Sequence, residues 1–162
     1  MASPCAENMD LHPDFKDLLA EFARSKVSYA VLGGYAVSYH AKPRATKDLD
    51  LLLSSLGDNL ARAADALAAF GAPAHVVQSV RTLAPTEIAY LGAPPVRVDL
   101  LRSADGIEAE SVIARAEIAL VNGLSIPIVT LDDLILNKLA AARPQDLADV
   151  AILERVRADR KG

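Results

Sequence analysis

The sequence has one cysteine, Cys5, in 162 residues. An internal disulfide framework and a cysteine-rich zinc site are therefore excluded. Cys5 also lacks a basic neighbour that would activate it as a thiolate. Tryptophan is absent and aromatics make up 4% of the chain, too few for a platform that stacks single-stranded bases. There is no excess of positive charge: 17 basic residues face 21 acidic ones, for a net charge of −4. That balance argues against a protein that coats nucleic acid by bulk electrostatics, although a local basic patch remains compatible with it. No apolar run approaches the roughly 20 residues a membrane span needs; Ala66–Phe70 is among the longest. Met1–Asp10 carries acids and no apolar stretch, so no secretory signal is expected there. With so little cysteine, the chain is expected to be cytoplasmic, with no membrane partner.

With 52% hydrophobic and 23% charged residues, the composition is that of a folded globular chain. No internal repeat or low-complexity linker interrupts it. The expected layout is a loose tail over residues 1–12 and a single domain over 13–160. Helical spacing of Phe15, Leu18, Leu19, Phe22 and Ala23 predicts a helix from Pro13 to Lys26. A short strand is expected at Tyr29–Leu32, a helix at Tyr35–His40, a strand at Asp48–Leu53 and a helix at Asn59–Phe70. The middle reads as strands at His75–Val80, Glu87–Leu91 and Val96–Leu101, then a helix at Glu108–Arg115. Asn122-Gly123 predicts a hairpin between Glu117–Val121 and Leu124–Val129. Thr130 and Asp133 resemble a capping box for a helix at Leu131–Ala142, and Pro144 opens a last helix through Arg157. The expected fold is α/β (α+β), a mixed sheet with flanking helices closed by a short C-terminal helical hairpin.

The chemistry concentrates in Leu32-Gly33-Gly34 and Asp48-Leu49-Asp50-Leu51. Strand alternation puts Asp48 and Asp50 on one face and Leu49, Leu51 and Leu53 on the other. Paired carboxylates on one face repel unless solvated, protonated or bridged by a cation, and oxygen-only ligands favour magnesium or manganese over zinc. Asp99, in the pattern Val96-Arg97-Val98-Asp99, completes a three-carboxylate cluster if its strand neighbours the first. Gly33-Gly34 stands between a strand and a helix, where absent Cβ atoms let backbone N–H groups approach a phosphate. Neither a Walker loop nor a dinucleotide-binding glycine pattern is present. Lys138 falls within the stripe Leu131, Leu134, Ile135, Leu139 and Ala142, so it must snorkel outward or find an anionic partner, for which a triphosphate is suited. Arg44 and Lys47 precede the aspartates and could meet phosphate. His12, His40 and His75 lack metal-ligand spacing and read as structural or exposed. Asp146 and Asp149 open a helix, where its dipole favours acids in any case.

Together, Gly33-Gly34, thirteen intervening residues, Asp48-Leu49-Asp50-Leu51 and the downstream Asp99 resemble the signature of the DNA polymerase β-type nucleotidyltransferase superfamily. The run Leu131–Lys138, with Arg143 and Asp146–Asp149, is similar to its small prokaryotic branch, the AbiEii-like toxins of type IV toxin–antitoxin systems and minimal nucleotidyltransferases. The resemblance spans Val31 to Leu153. It implies that Asp48 and Asp50 hold two Mg²⁺ ions (or Mn²⁺), joined by Asp99, which would help activate an acceptor hydroxyl. It further implies that Gly33 and Gly34 cradle a nucleoside triphosphate, with Arg44, Lys47, Lys138 and Asp146 as its further contacts or supports. Many members carry serine where this chain has Gly34, so one hydroxyl grip on phosphate is missing here. The implied activity is Mg-dependent transfer of a nucleotidyl group to RNA, tRNA or protein, with an antitoxin protein as partner. An aminoglycoside-type small-molecule transferase and a non-catalytic nucleotide- or partner-binding module are the alternatives. An RNA acceptor would require Arg44, Lys47, Arg81, Arg97 and Arg143 to gather on one face.

Overall fold

Six strands form one mixed sheet in the order β3-β4-β2-β1-β6-β5, in a computed structural model that describes residues 10–43, 48–94 and 96–161. The strands are β1 (Tyr29–Leu32), β2 (Asp48–Leu53), β3 (Ile88–Ala93), β4 (Val96–Leu101), β5 (Glu117–Val121) and β6 (Leu124–Ile128). The helices are α1 (Pro13–Arg24), α2 (Gly33–His40), α3 (Asn59–Phe70), α4 (Ala74–Arg81), α5 (Ala109–Ala114), α6 (Leu131–Ala141) and α7 (Pro144–Lys161). The expected mixed sheet and C-terminal helical pair are both present.

The centre of the sheet positions the chemistry. β2 runs antiparallel to β1 and parallel to β4, with Asp48 opposite Arg97 and Asp50 opposite Asp99. On one face Leu49, Leu51, Leu53, Val98 and Leu100 are buried in the core. α1 and α3 pack together on this side, where Phe15, Leu18 and Phe70 meet Leu91, Val96 and Val98. The opposite face carries Asp48, Asp50, Arg97 and Asp99, approached by α2 and α6. α2 follows β1 without a linker, and its first residue, Gly33, has φ +66°.

Local signals account for most boundaries. His12 accepts a hydrogen bond from the Asp14 backbone N–H at the start of α1, and Leu11 is buried, so the segment before Pro13 packs from at least Leu11 onward. Asn122 and Gly123 both take positive φ, as the tight hairpin between β5 and β6 requires. The Thr130 hydroxyl accepts from the Asp133 N–H and caps α6.

Two expectations are corrected. His75–Val80 is helical, within α4, rather than a strand. Its valines favour a strand by propensity, but Val76 and Val80, four apart, are the buried pair, and Pro73 caps the segment's start. A helix places both on one face against α3; a strand could not place them there without burying Gln78 between them. In α6, Leu139 is 45% exposed instead of joining the apolar stripe. Lys138 takes the inward position, paired with acids of α7, and this turns Leu139 to solvent.

Asn59, at the start of α3, ties the sheet's centre to the helical layer. Its Nδ2 donates to the Ser28 and Ser54 carbonyls at 2.9 and 2.7 Å, and its Oδ1 accepts from the Ser28 N–H at 2.7 Å. Asn59→Ala leaves the buried Ser54 carbonyl without this partner and removes the part-buried bonds to Ser28, so a loss of roughly 1–3 kcal/mol is expected. Urea unfolding of wild type and variant measures it; a change near zero would show that solvent replaces these bonds.

Candidate active site

A cavity of about 720 Å³ opens where β2 and β4 face α6 and the start of α7. Gly33, Asp48, Asp50, Arg97, Asp99, Lys138, Arg143 and Asp146 all line it. Its volume lies within the range of small-molecule sites, about 300–1,000 Å³. The structure therefore brings together eight of the residues singled out from the sequence: Gly33, Asp48, Asp50, Arg97, Asp99, Lys138, Arg143 and Asp146. Gly34 is the second residue of α2 and half-buried. Arg44 and Lys47 lie outside the described residues. Arg81 does not join the group; it pairs with Asp65 at 3.0 Å on the exposed side of α4.

Asp50 is the most constrained member. A Cβ on Gly33 would run into its Oδ2, and the positive φ of Gly33 independently excludes most side chains. The glycine thus lets a carboxylate and a helix N-terminus meet. Burial, the adjoining carboxylates of Asp99 and Asp48 and a hydrogen bond with Asp99 push the Asp50 pKa up to about 7, against a smaller opposing pull from Lys138.

Arg97, named from the sequence only among the basic residues an RNA acceptor would require, joins the aspartates, on the face that the alternation Val96-Arg97-Val98-Asp99 gives it. Its Nε donates to Asp99 Oδ1 at 2.8 Å, and its Nη2 donates to Asp99 Oδ2 and Asp48 Oδ2, each at 3.2 Å. The guanidinium also lies over the Tyr90 ring, 5.0 Å from its centroid.

Lys138 is buried and has its anionic partners within the protein, Asp146 Oδ1 at 3.1 Å and Asp149 Oδ2 at 3.0 Å. Arg143 closes on the same carboxylate, with Nε 2.7 Å from Asp146 Oδ2. Burial alone would raise the Asp146 pKa; the Arg143 and Lys138 hydrogen bonds outweigh it and hold the group below the usual carboxylate range. Asp146 and Asp149 are therefore more than acids favoured by a helix dipole: they neutralise an otherwise unsupported buried ammonium. His40, as expected, is structural, with Nε2 2.7 Å from the Val129 carbonyl oxygen.

A divalent cation suits this donor set. Asp48 Oδ1 is buried without a hydrogen-bond partner, and the adjoining carboxylates supply only oxygen ligands. Among the described residues, however, no three such side chains already stand at metal-binding spacing. Arg97 sits between the oxygens instead.

The raised Asp50 pKa has a definite consequence. An unfolded aspartate titrates near 3.9, so between roughly pH 4 and 7 the folded chain holds a proton that the unfolded chain has lost. In chelator-treated protein this costs stability progressively as pH rises through that window. Asp50→Asn removes the loss, so the fall in Tm from pH 5 to pH 8 should shrink by several degrees, at about 2–4 °C per kcal/mol. Melting curves showing the same fall in both proteins would mean that Asp50 is ionised throughout.

Comparison with known proteins places this geometry. No curated protein matches the chain. Among solved structures, the lincomycin-bound lincosamide antibiotic adenylyltransferase LnuA aligns with a TM-score of 0.60 at 13% identity, over 90% of this chain and 98% of that one. ANT(2")-Ia in complex with adenylyl-2"-tobramycin aligns with a TM-score of 0.54 at 15% identity, over 89% and 91%. A Thermotoga maritima protein solved as a putative nucleotidyltransferase aligns with a TM-score of 0.54 at 12% identity, over 91% and 88%. At such identities these likenesses establish the fold. The family model described as nucleotidyl transferase AbiEii toxin, type IV TA system, matches residues 17–161, which takes in every cavity residue named above. The chain belongs to the AbiEii family of nucleotidyltransferases.

Proposed function

We propose that this cavity transfers a nucleotidyl group from a nucleoside triphosphate to an acceptor hydroxyl, in the manner of a type IV toxin acting on RNA and restrained by an antitoxin protein. The observation that carries the reading is the register of β2 on β4, which sets Asp50 beside Asp99 in a cavity opening at the N-terminus of α2. Three carboxylates beside a helix N-terminus suit a ligand that arrives as a triphosphate with divalent metal.

Asp48, Asp50 and Asp99 would hold Mg²⁺. When bound, the metal supplies charge neutralisation at the attacking, transferring and leaving oxygens. The chain's own residues do the rest. Gly33 lets the Asp50 carboxylate close on the start of α2, where backbone N–H groups can meet phosphate. Arg143, largely exposed and anchored to Asp146, presents positive charge to the phosphate tail. Lys138 adds a fixed positive field near Asp50 without leaving its buried partners. The bond that forms joins the acceptor oxygen to the α-phosphorus; the bond that breaks releases pyrophosphate. The hydroxyl proton passes to Asp99.

A second reading, a small cationic acceptor, draws support from Glu87 and Asp105 on the cavity wall.

Calorimetry of each triphosphate with and without Mg²⁺, followed by analysis of products on RNA and on aminoglycosides, tests the proposal. Mg-dependent binding and a labelled RNA product are expected. Asp50→Asn and Asp99→Asn should each cut transfer about 100-fold or more, the scale of losing one charge-stabilising group. A labelled small molecule with unlabelled RNA would transfer support to the second reading. Binding indifferent to Mg²⁺, with no labelled product, would overturn both.

A further inference from the structure

Arg97 carries an inference that rests on the metal site proposed above and deepens it. Its three hydrogen bonds engage both oxygens of Asp99 and one of Asp48. The remaining Asp48 oxygen, Oδ1, is the one left without a partner. A cation that bound Asp48 and Asp99 together would need oxygens the guanidinium now holds, and it would be repelled by the guanidinium's charge. Each of these three oxygens turns one lone pair to the N–H fork at 2.8–3.2 Å, which narrows the directions left for an inner-sphere ligand and places the positive charge beside them.

We propose that Arg97 is a positioning residue that acts as an internal counter-ion: it keeps Asp48 and Asp99 aligned in the metal-free protein and must be displaced for a divalent cation to bind both. The register makes this specific, because Arg97 is the residue opposite Asp48 and lies two positions before Asp99 on the same strand face. The side chain has room to leave. It is 30% exposed, against 7% for Lys138, and it rests on Tyr90, itself half exposed at the surface of β3. Lys138 is held by two buried acids and has no such freedom. The displaced guanidinium remains at the cavity wall, where the phosphates of an incoming nucleotide are the natural new partner for its fork. Cation and nucleotide thereby favour each other's binding.

The test is the affinity for Mn²⁺ alone, read from the electron paramagnetic resonance of the free ion, for wild type, Arg97→Gln and Arg97→Lys. Arg97→Gln should bind Mn²⁺ at least tenfold more tightly than wild type. Arg97→Lys, which keeps the charge but loses the fork, should fall between them. Melting curves provide a second readout that does not depend on activity. Without metal, Arg97→Gln should melt below wild type at pH 8, because the carboxylates lose their counter-charge, and Mn²⁺ should raise its Tm more than that of wild type. Equal or weaker Mn²⁺ binding by Arg97→Gln would overturn the counter-ion role while leaving the metal site standing. No Mn²⁺ binding by any of the three proteins, even with a non-hydrolysable triphosphate present, would overturn the metal site and this inference together.

Discussion

Asp50 and Asp99 face each other across one strand spacing, and the surrounding structure is organised around the cost of keeping two carboxylates so close. Their repulsion is severe because Asp50 is largely withdrawn from water. Nothing flexible could hold such a pair. The sheet does so because the reverse face of the same strands is anchored by Leu49, Leu51, Val98 and Leu100, all buried. Hydrophobic burial on one face thus supplies the rigidity that the other face needs for its chemistry.

The cations answer that repulsion in two different ways. Lys138 is locked: it is buried and held by Asp146 and Asp149, and moving it to a new partner would break both buried pairs. Its contribution to the cavity is a steady field. Arg97 is in direct contact with the aspartates and partly exposed, so the same positive sign is available for exchange. Removing Lys138 would take a buried cation from Asp146 and Asp149, whereas moving Arg97 uncovers the part-exposed carboxylates of Asp48 and Asp99. This division follows from burial, since both residues carry the same charge.

The solved structures that align with this chain share its fold at 12–15% identity. A scaffold held in common at that distance is held by pattern rather than by particular side chains. Thr86, Glu87, Asp105 and Asn137 border the cavity without contributing to the aspartate pair. The family assignment and the acceptor are therefore separate matters physically as well as logically.

The sequence by itself determined the parts that are local or periodic. Alternation in Asp48–Leu53 and Val96–Leu101 set which residues face the core, Gly33 marked the turn from strand to helix, and Asn122-Gly123 and Thr130 set a hairpin and a cap. Each depends on a period or a backbone preference within a few residues. Propensity misled at Val76–Val80, where the valines favoured a strand and packing against α3 chose a helix. Tertiary structure alone decided that β4 lies beside β2 in the register that pairs Asp50 with Asp99, that Arg97 bridges Asp48 and Asp99, and that Lys138 is answered by Asp146 and Asp149 within the protein. Those are contacts between segments up to 49 residues apart. Their existence depends on how whole layers pack, and no spacing along one chain segment encodes it.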